Sequence, residues 1–224
     1  GNGSLAGLMP YGNANQIVID LANRVFPVIQ EAPMIAGICG TDPTREMRPY
    51  LKYLKELGFS GVMNFPTVGL IDGRFRRELE DTGMGYGKEM EALQMAAELG
   101  LFTMGYAFNV EEAGMVGRAR LDVLICHMGL TAGGAIGSKY AEAMSLKDAA
   151  ELIKEMTRAA RANYPEIMIF AHGGPISSPE DTRYIYENTE SVGFLGASSI
   201  ERIPVERPLM EAVQQFKSIP IKVV

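Results

Sequence analysis

The chain contains two histidines, His127 and His172, and each directly follows a short apolar run, Leu121 to Cys126 and Ile167 to Ala171. Imidazole has the side-chain pKa nearest neutrality, so two at equivalent positions suit general acid–base work, water positioning or metal ligation. The plainer alternative is two loop histidines hydrogen-bonded to backbone. Small residues accompany the pair. Gly173-Gly174 follows the second histidine, and Gly196-Ala197-Ser198-Ser199 follows the last apolar run, with Arg202 close behind. Backbone N–H groups at glycines can approach a ligand closely, and hydroxyls with a guanidinium suit an anion such as phosphate. Read otherwise, Gly–Gly makes a tight turn and Ser199 caps a short helix.

The other apolar runs end in Cys39-Gly40-Thr41-Asp42, Asn64-Phe65-Pro66-Thr67 and Tyr106-Ala107-Phe108-Asn109, and Thr131 lies just beyond His127. Asn64, Thr67 and Thr131 therefore join Gly173, Gly174, Gly196, Ser198, Ser199 and Arg202 as candidate substrate-binding residues. Asp42 stands before Pro43, where an N-cap is the ordinary role, and its place also admits a metal ligand or catalytic base. Asp72 and Glu201 are the other carboxylates within reach. Arg74, Arg76 and Arg77 form a basic stretch, readable as a solvated face or as anion steering. Cys39 has no base beside it in sequence and reads as a small buried thiol. No lysine closes an apolar run, which disfavours a Schiff-base aldolase. There is no G-x-S-x-G elbow, no H-E-x-x-H, no P-loop and no strand–GxGxxG–helix pattern, so no nucleotide cofactor is indicated.

The elements that position these residues alternate regularly. Strands are expected over 34–39, 60–65, 101–107, 121–126, 167–171 and 193–196. Helices are expected from Asp42 to about Leu57, 87–99, a short one capped by Asn109 with Glu112, from Ser145 to about Asn163, one capped by Ser178, and 204–217. A further helix, 15–30, precedes the first strand. Near-continuous apolar strands joined by helices predict a parallel sheet covered by helices, a barrel being the economical architecture and a flavodoxin-like open sheet the rival. In either fold, ligands meet the carboxyl ends of the strands, where both histidines fall. Two long loops, 66–85 and 127–144, leave these ends, and the four glycines of 129–137 suit a lid.

The 224 residues carry a net charge of −6 and are 47% hydrophobic, which fits one globular domain, 1–224. No clustered basic face points to nucleic acid, and no run of about 20 apolar residues spans a membrane. Two cysteines make no disulfide framework and point to the cytoplasm. Eight strand–helix units of about 31 residues need about 248. The six visible units begin at residue 34. The chain therefore reads as a barrel lacking its first strand, helix and second strand, with Gly1 the start of a fragment and poor solubility expected.

Six stretches in order also resemble a known family. They are Ala36 to Pro43, Asn64 to Gly73, Glu80 to Tyr86, His127 to Thr131, His172 to Ile176 and Gly196 to Arg202. Together they are similar to the phosphoenolpyruvate hydrolase-like TIM-barrel family, part of the phosphoenolpyruvate/pyruvate barrel superfamily, which also occurs as the C-terminal domain of a plant antiviral protein. The resemblance covers essentially the whole chain. It implies a (β/α)8 barrel and a hydrolase acting on phosphoenolpyruvate, phosphonopyruvate or a similar keto acid. His127 and His172 would serve as acid and base, and Asp42 would orient one of them. It also implies a divalent metal such as Mg2+, for which Asp42 and Glu201 are the candidate ligands, and association into a homo-oligomer. The alternatives are a non-catalytic ligand-sensing or interaction module and a metal-dependent C–C lyase.

Overall fold

The computed structural model describes residues 12–138 and 144–220. The Gly1 to Leu8 stretch, Lys139 and residues 221–224 of the tail lie outside the described residues. Six parallel strands form one curled sheet: β1 (Ile35–Gly37), β2 (Gly61–Met63), β3 (Phe102–Ala107), β4 (Val123–His127), β5 (Met168–His172) and β6 (Gly193–Phe194). They are paired strictly in chain order. That order decides between the two architectures, because a flavodoxin-like sheet reverses its strand order at a switch point and a barrel does not. Among the described residues β1 and β6 are the sheet's two edges.

The period of two along each strand sorts the apolar residues into two layers. Leu124, Cys126, Ile169 and Ala171 face the helices and join one large core cluster. Met104, Tyr106, Val123 and Ile125 face inward and form the second, with Met63, Phe65, Phe108 and Phe170 packed against it. The same parity carries His127 and His172 to the inner face, two residues beyond Ile125 and Phe170. The ladder runs one residue further than expected at both strands, so each histidine is the last residue of its strand, and the two are direct partners in the β4–β5 register.

Helix α1 (Ala14–Val25) precedes the sheet, its N-cap Asn13 accepting from Gln16 N–H. It stops short of residue 30, giving way to a 3-10 turn, Phe26–Val28, that holds Pro27. Helix α2 (Met47–Leu57) starts later than expected. Asp42 caps nothing there, because its carboxylate closes a local turn on the N–H and hydroxyl of Thr44. The loop after β2 is not bare. It holds a 3-10 turn, Val68–Leu70, and α3 (Gly73–Asp81), a helix with no buried residue whose Arg74–Glu78 and Arg76–Glu80 pairs bridge successive turns. With no apolar stripe, that helix carries no period to read.

Helix α4 (Tyr86–Glu98) and α5 (Val110–Arg118) follow. Asn109 accepts from Glu112 N–H, but the Glu112 carboxylate turns to Phe108 N–H and Arg76, so the expected reciprocal box does not close. Helix α6 (Leu146–Arg161) buries Ala149, Ile153, Met156 and Ala160 on one face, and α5 lies so close that a Cβ on Gly117 would stand 2.2 Å from the Ala160 carbonyl. Ser178 and Asp181 form a true capping box on α7 (Pro179–Asn188). A short α8 (Ser198–Glu201) and α9 (Ile203–Lys217) close the described chain. No helix among the described residues is long and apolar enough to cross a membrane.

Candidate active site

The site is built by the ends of β4 and β5. The His127 and His172 ring centroids are 4.6 Å apart. Tyr106, from β3, sets its ring 5.7 Å from His127 and 5.4 Å from His172, and Phe108 lies 4.5 Å from His127. Both imidazoles are buried. Each is fixed through Nδ1 by a backbone partner, but in opposite senses. His127 Nδ1 accepts the Gly129 N–H at 3.0 Å, so it carries no proton and the neutral ring holds its proton on Nε2. His172 Nδ1 lies 2.6 Å from the Leu195 carbonyl, which can only accept, so that nitrogen is protonated and Nε2 keeps its lone pair. Among the described residues neither Nε2 is engaged. The pair thus presents one donor and one acceptor.

Burial, reinforced by the neighbouring His172, pushes the His127 imidazole down to about 3. Burial also lowers His172, partly offset by its bond to the Leu195 carbonyl. Both rings are therefore neutral near pH 7. The backbone-bonded and the chemical readings of these histidines coexist, one at each end of the ring.

Gly173 and Gly174 hold the loops after β4 and β5 against each other. Both have left-handed φ, +73° and +58°, and a Cβ would stand 2.2 Å from the Gly129 carbonyl and 2.4 Å from that of Met128. Gly174 N–H is spent on Gly129 O, and Gly174 O accepts from Ala132 N–H. Thr131 sits half-buried in the same loop. Arg202 clasps that loop from the joint between α8 and α9, donating to the Gly133 carbonyl at 3.2 Å and to Glu206 at 2.8 Å, while Glu206 accepts from Ala135 N–H. Gly196 packs against Ile200 and Phe194. Ser198 and Ser199 open α8, whose N-cap is Ala197, so Ser199 caps nothing. Its Oγ is buried and unpartnered among the described residues, beside a cavity of about 500 Å3 lined by Ser177, Arg183, Tyr186 and Phe194.

Asp42 does not join the histidines in any hydrogen bond among the described residues. Asn15 donates to it at 2.9 Å from α1, and Arg45 lies 3.6 Å away. Burial is outweighed by the Thr44, Asn15 and Arg45 contacts, which hold this carboxyl below its usual value. Glu201 is exposed on α8, where its charge adds to burial in raising the Tyr106 hydroxyl. Asp72 is exposed at the rim of a groove that also holds Arg76. Among the described residues no three His, Cys, Asp or Glu side chains converge. The described residues thus make no all-protein cage for a divalent ion, and a Mg2+ ion held by a single carboxylate would complete its shell with water and substrate oxygens. Arg76 is no free anion-steering group, since it binds Glu80, Glu112 and two backbone carbonyls. Cys39 is half-buried, and burial raises its thiol.

Asn64 and Thr67 are fully enclosed, and both serve a residue with no outward signal in sequence. Glu89, in the first turn of α4, accepts from Asn64 Nδ2 at 2.8 Å, Thr67 Oγ1 at 2.7 Å and Val68 N–H at 2.7 Å. Burial pushes it up to about 7 despite these donors. Asn15 gives no signal in sequence either, whereas Tyr106 stands at the end of an apolar run and shares strand parity with Met104, which sets it on the inner face.

A model of the phosphoenolpyruvate hydrolase-like family matches residues 1–219. The chain is 49% identical over 223 residues to the ToMV resistance protein Tm-1(GCR237) of Solanum lycopersicum, covering 99% of this chain and 29% of that protein. It is 31% identical over 216 residues to the putative transcriptional regulatory protein y4pA of Sinorhizobium fredii, covering 96% of this chain and 35% of the relative. The chain thus spans about a third of the length of these relatives. Among solved structures, a 2,3-dimethylmalate lyase of the PEP mutase/isocitrate lyase superfamily is 11% identical with a TM-score of 0.46, covering 93% of this chain and 68% of that one. The match to the family model extends through every strand of the sheet and through both histidines, and the chain belongs to the phosphoenolpyruvate hydrolase-like family.

Proposed function

We propose that the chain hydrolyses a small phosphorylated or phosphonylated three-carbon keto acid such as phosphoenolpyruvate or phosphonopyruvate. The observation that carries this is the opposite tautomers of two imidazoles whose ring centroids are 4.6 Å apart, which leave a lone pair on His172 Nε2 and a proton on His127 Nε2. As a water oxygen bonds to phosphorus, its proton passes to His172 Nε2. The phosphorus–oxygen or phosphorus–carbon bond breaks, and its electron pair leaves as the pyruvate enolate. The His172 imidazolium returns the proton to that enolate, so one water is consumed and pyruvate and phosphate are formed. His127 does not surrender its proton, because a neutral ring would become an imidazolate. It donates a hydrogen bond to the oxygen that gains charge, as a neutral imidazole can. Ser198, Ser199 and Gly173 are the proposed phosphoryl contacts. The proposed setting is the cytoplasm, with the chain as a homo-oligomer. Incubation with a panel of phospho- and phosphono-keto acids, with and without Mg2+, should release pyruvate and phosphate, and His172→Gln should abolish it. No product from any member would overturn the proposal.

A second reading, a ligand-sensing module without turnover, is favoured by one observation. Arg202 and Gly174 N–H, which could have held a phosphate, are committed to the loop after β4. Ligand binding unaffected by His127→Ala and His172→Ala, with no product, would support it.

A further inference from the structure

We propose that Glu89 is a positioning residue for the histidine pair, acting through Asn64 and Tyr106. Strand β2 ends at Met63, and the Asn64 side chain stands in for the next rung of the ladder to β3. Its Oδ1 accepts Tyr106 N–H at 2.7 Å, and its Nδ2 lies 3.3 Å from the Tyr106 carbonyl, which also accepts from the Tyr86 hydroxyl. Glu89 fixes the orientation of that amide by accepting from Nδ2 at 2.8 Å. Tyr106 in turn packs its ring against both imidazoles. A carboxylate on α4 is thereby joined to the site by two side chains and a strand backbone. No water is needed to complete the path.

The charged and titratable groups around Glu89 are Arg76 on α3, Tyr86 on its own helix and Cys39 after β1. Thr67 and Val68 N–H complete its donors. Protonating Glu89 replaces an acceptor site by a donor, so its three hydrogen bonds must rearrange, one of them reversing or giving way. With its carboxyl raised to about 7, that exchange falls in a range where burial keeps both imidazoles neutral.

The chain's two histidines make the test direct. The assignment rests on the reading that this pair is the working site, yet ring signals are observed without turnover, so its failure is distinguishable from an absence of hydrolysis. In the full chain with 15N-labelled imidazoles, we expect both rings to show an inflection near pH 7 that is lost in Glu89→Gln. Thr67→Val, which removes one donor to the ionised carboxylate, should move the inflection to higher pH, and it decides the matter if Glu89→Gln does not fold. If the hydrolysis holds, kcat should follow the same inflection while KM does not. Flat ring signals between about pH 5.5 and 8.5 in the parent chain would overturn the proposal. So would an inflection unchanged in either variant.

Discussion

His127 and His172 are direct partners across the β4–β5 ladder, yet at Nδ1 one accepts a backbone hydrogen bond and the other donates one. The asymmetry arises from what each strand meets next. After β4 the chain turns at Gly129, so an N–H faces the ring, whereas His172 looks across to β6 and the Leu195 carbonyl. From this follows a division of labour, and the variants should not behave alike. Removing the base at His172 should abolish hydrolysis. His127→Gln should reduce kcat by about 100-fold, the usual loss for one donor to a developing charge. Steady-state assays of both variants check this, and equal losses would contradict it.

The pH dependence has a definite sign. His172 works as a base only when neutral, and burial lowers its pKa below the ordinary 6.5. The His172 limb of the profile should therefore lie below pH 6.5, separate from the inflection near pH 7 assigned to Glu89. In Glu89→Gln, which removes that inflection, a kcat/KM profile with its acid limb above 6.5 would be inconsistent with this.

Glu89 links pH to stability in the opposite direction from an ordinary salt-bridged acid. Its carboxyl is raised from 4.5 to about 7, so the folded chain binds more protons than the unfolded one between those values. Its contribution is complete below 4.5 and is lost as pH rises through 7. The change is on the order of 3 kcal/mol. The two lowered histidines give the opposite slope in both chains, so the comparison is between variants: in urea unfolding the parent should lose stability relative to Glu89→Gln as pH rises from mildly acidic to mildly alkaline.

The paired loops give a steric prediction. Gly173→Ala and Gly174→Ala place a Cβ within 2.4 Å of a carbonyl oxygen of the facing loop, on top of left-handed backbone. Each should cost about 2–3 kcal/mol and displace His172. Gly83→Ala is the control. Its φ is +76° but nothing lies within 4 Å, so about 1 kcal/mol of backbone strain is expected. Thermal melts of the three variants compare the two costs.

Helix α9 buries none of its residues, and Leu209 and Phe216 are 63% and 77% exposed. With both sheet edges open among the described residues, the chain should self-associate. Light scattering should show a larger species that Leu209→Glu with Phe216→Glu reduces.

Much of this site is legible in the sequence, and the reason is periodicity. Alternation along Val123, Ile125 and His127, repeated in Phe170 and His172, is a property of the chain that survives any uncertainty in strand ends. The carboxyl-end rule then placed the pair. Glu89 was not legible, because a first-turn acid at the start of a helix is an ordinary dipole partner, and only the fold shows it enclosed by Asn64 and Thr67. Arg202 and Gly174 looked available for an anion because sequence names a donor but not its partner. Helix α3 buries no residue and so leaves no apolar stripe in the sequence.

The most direct test is the protonation pattern of the two rings. In a 15N–1H spectrum of labelled imidazoles at pH 7, His127 should carry its proton on Nε2 and His172 on Nδ1, with neither ring charged. Two rings of the same tautomer, or an imidazolium at either position, would contradict the division of labour on which the proposed hydrolysis depends.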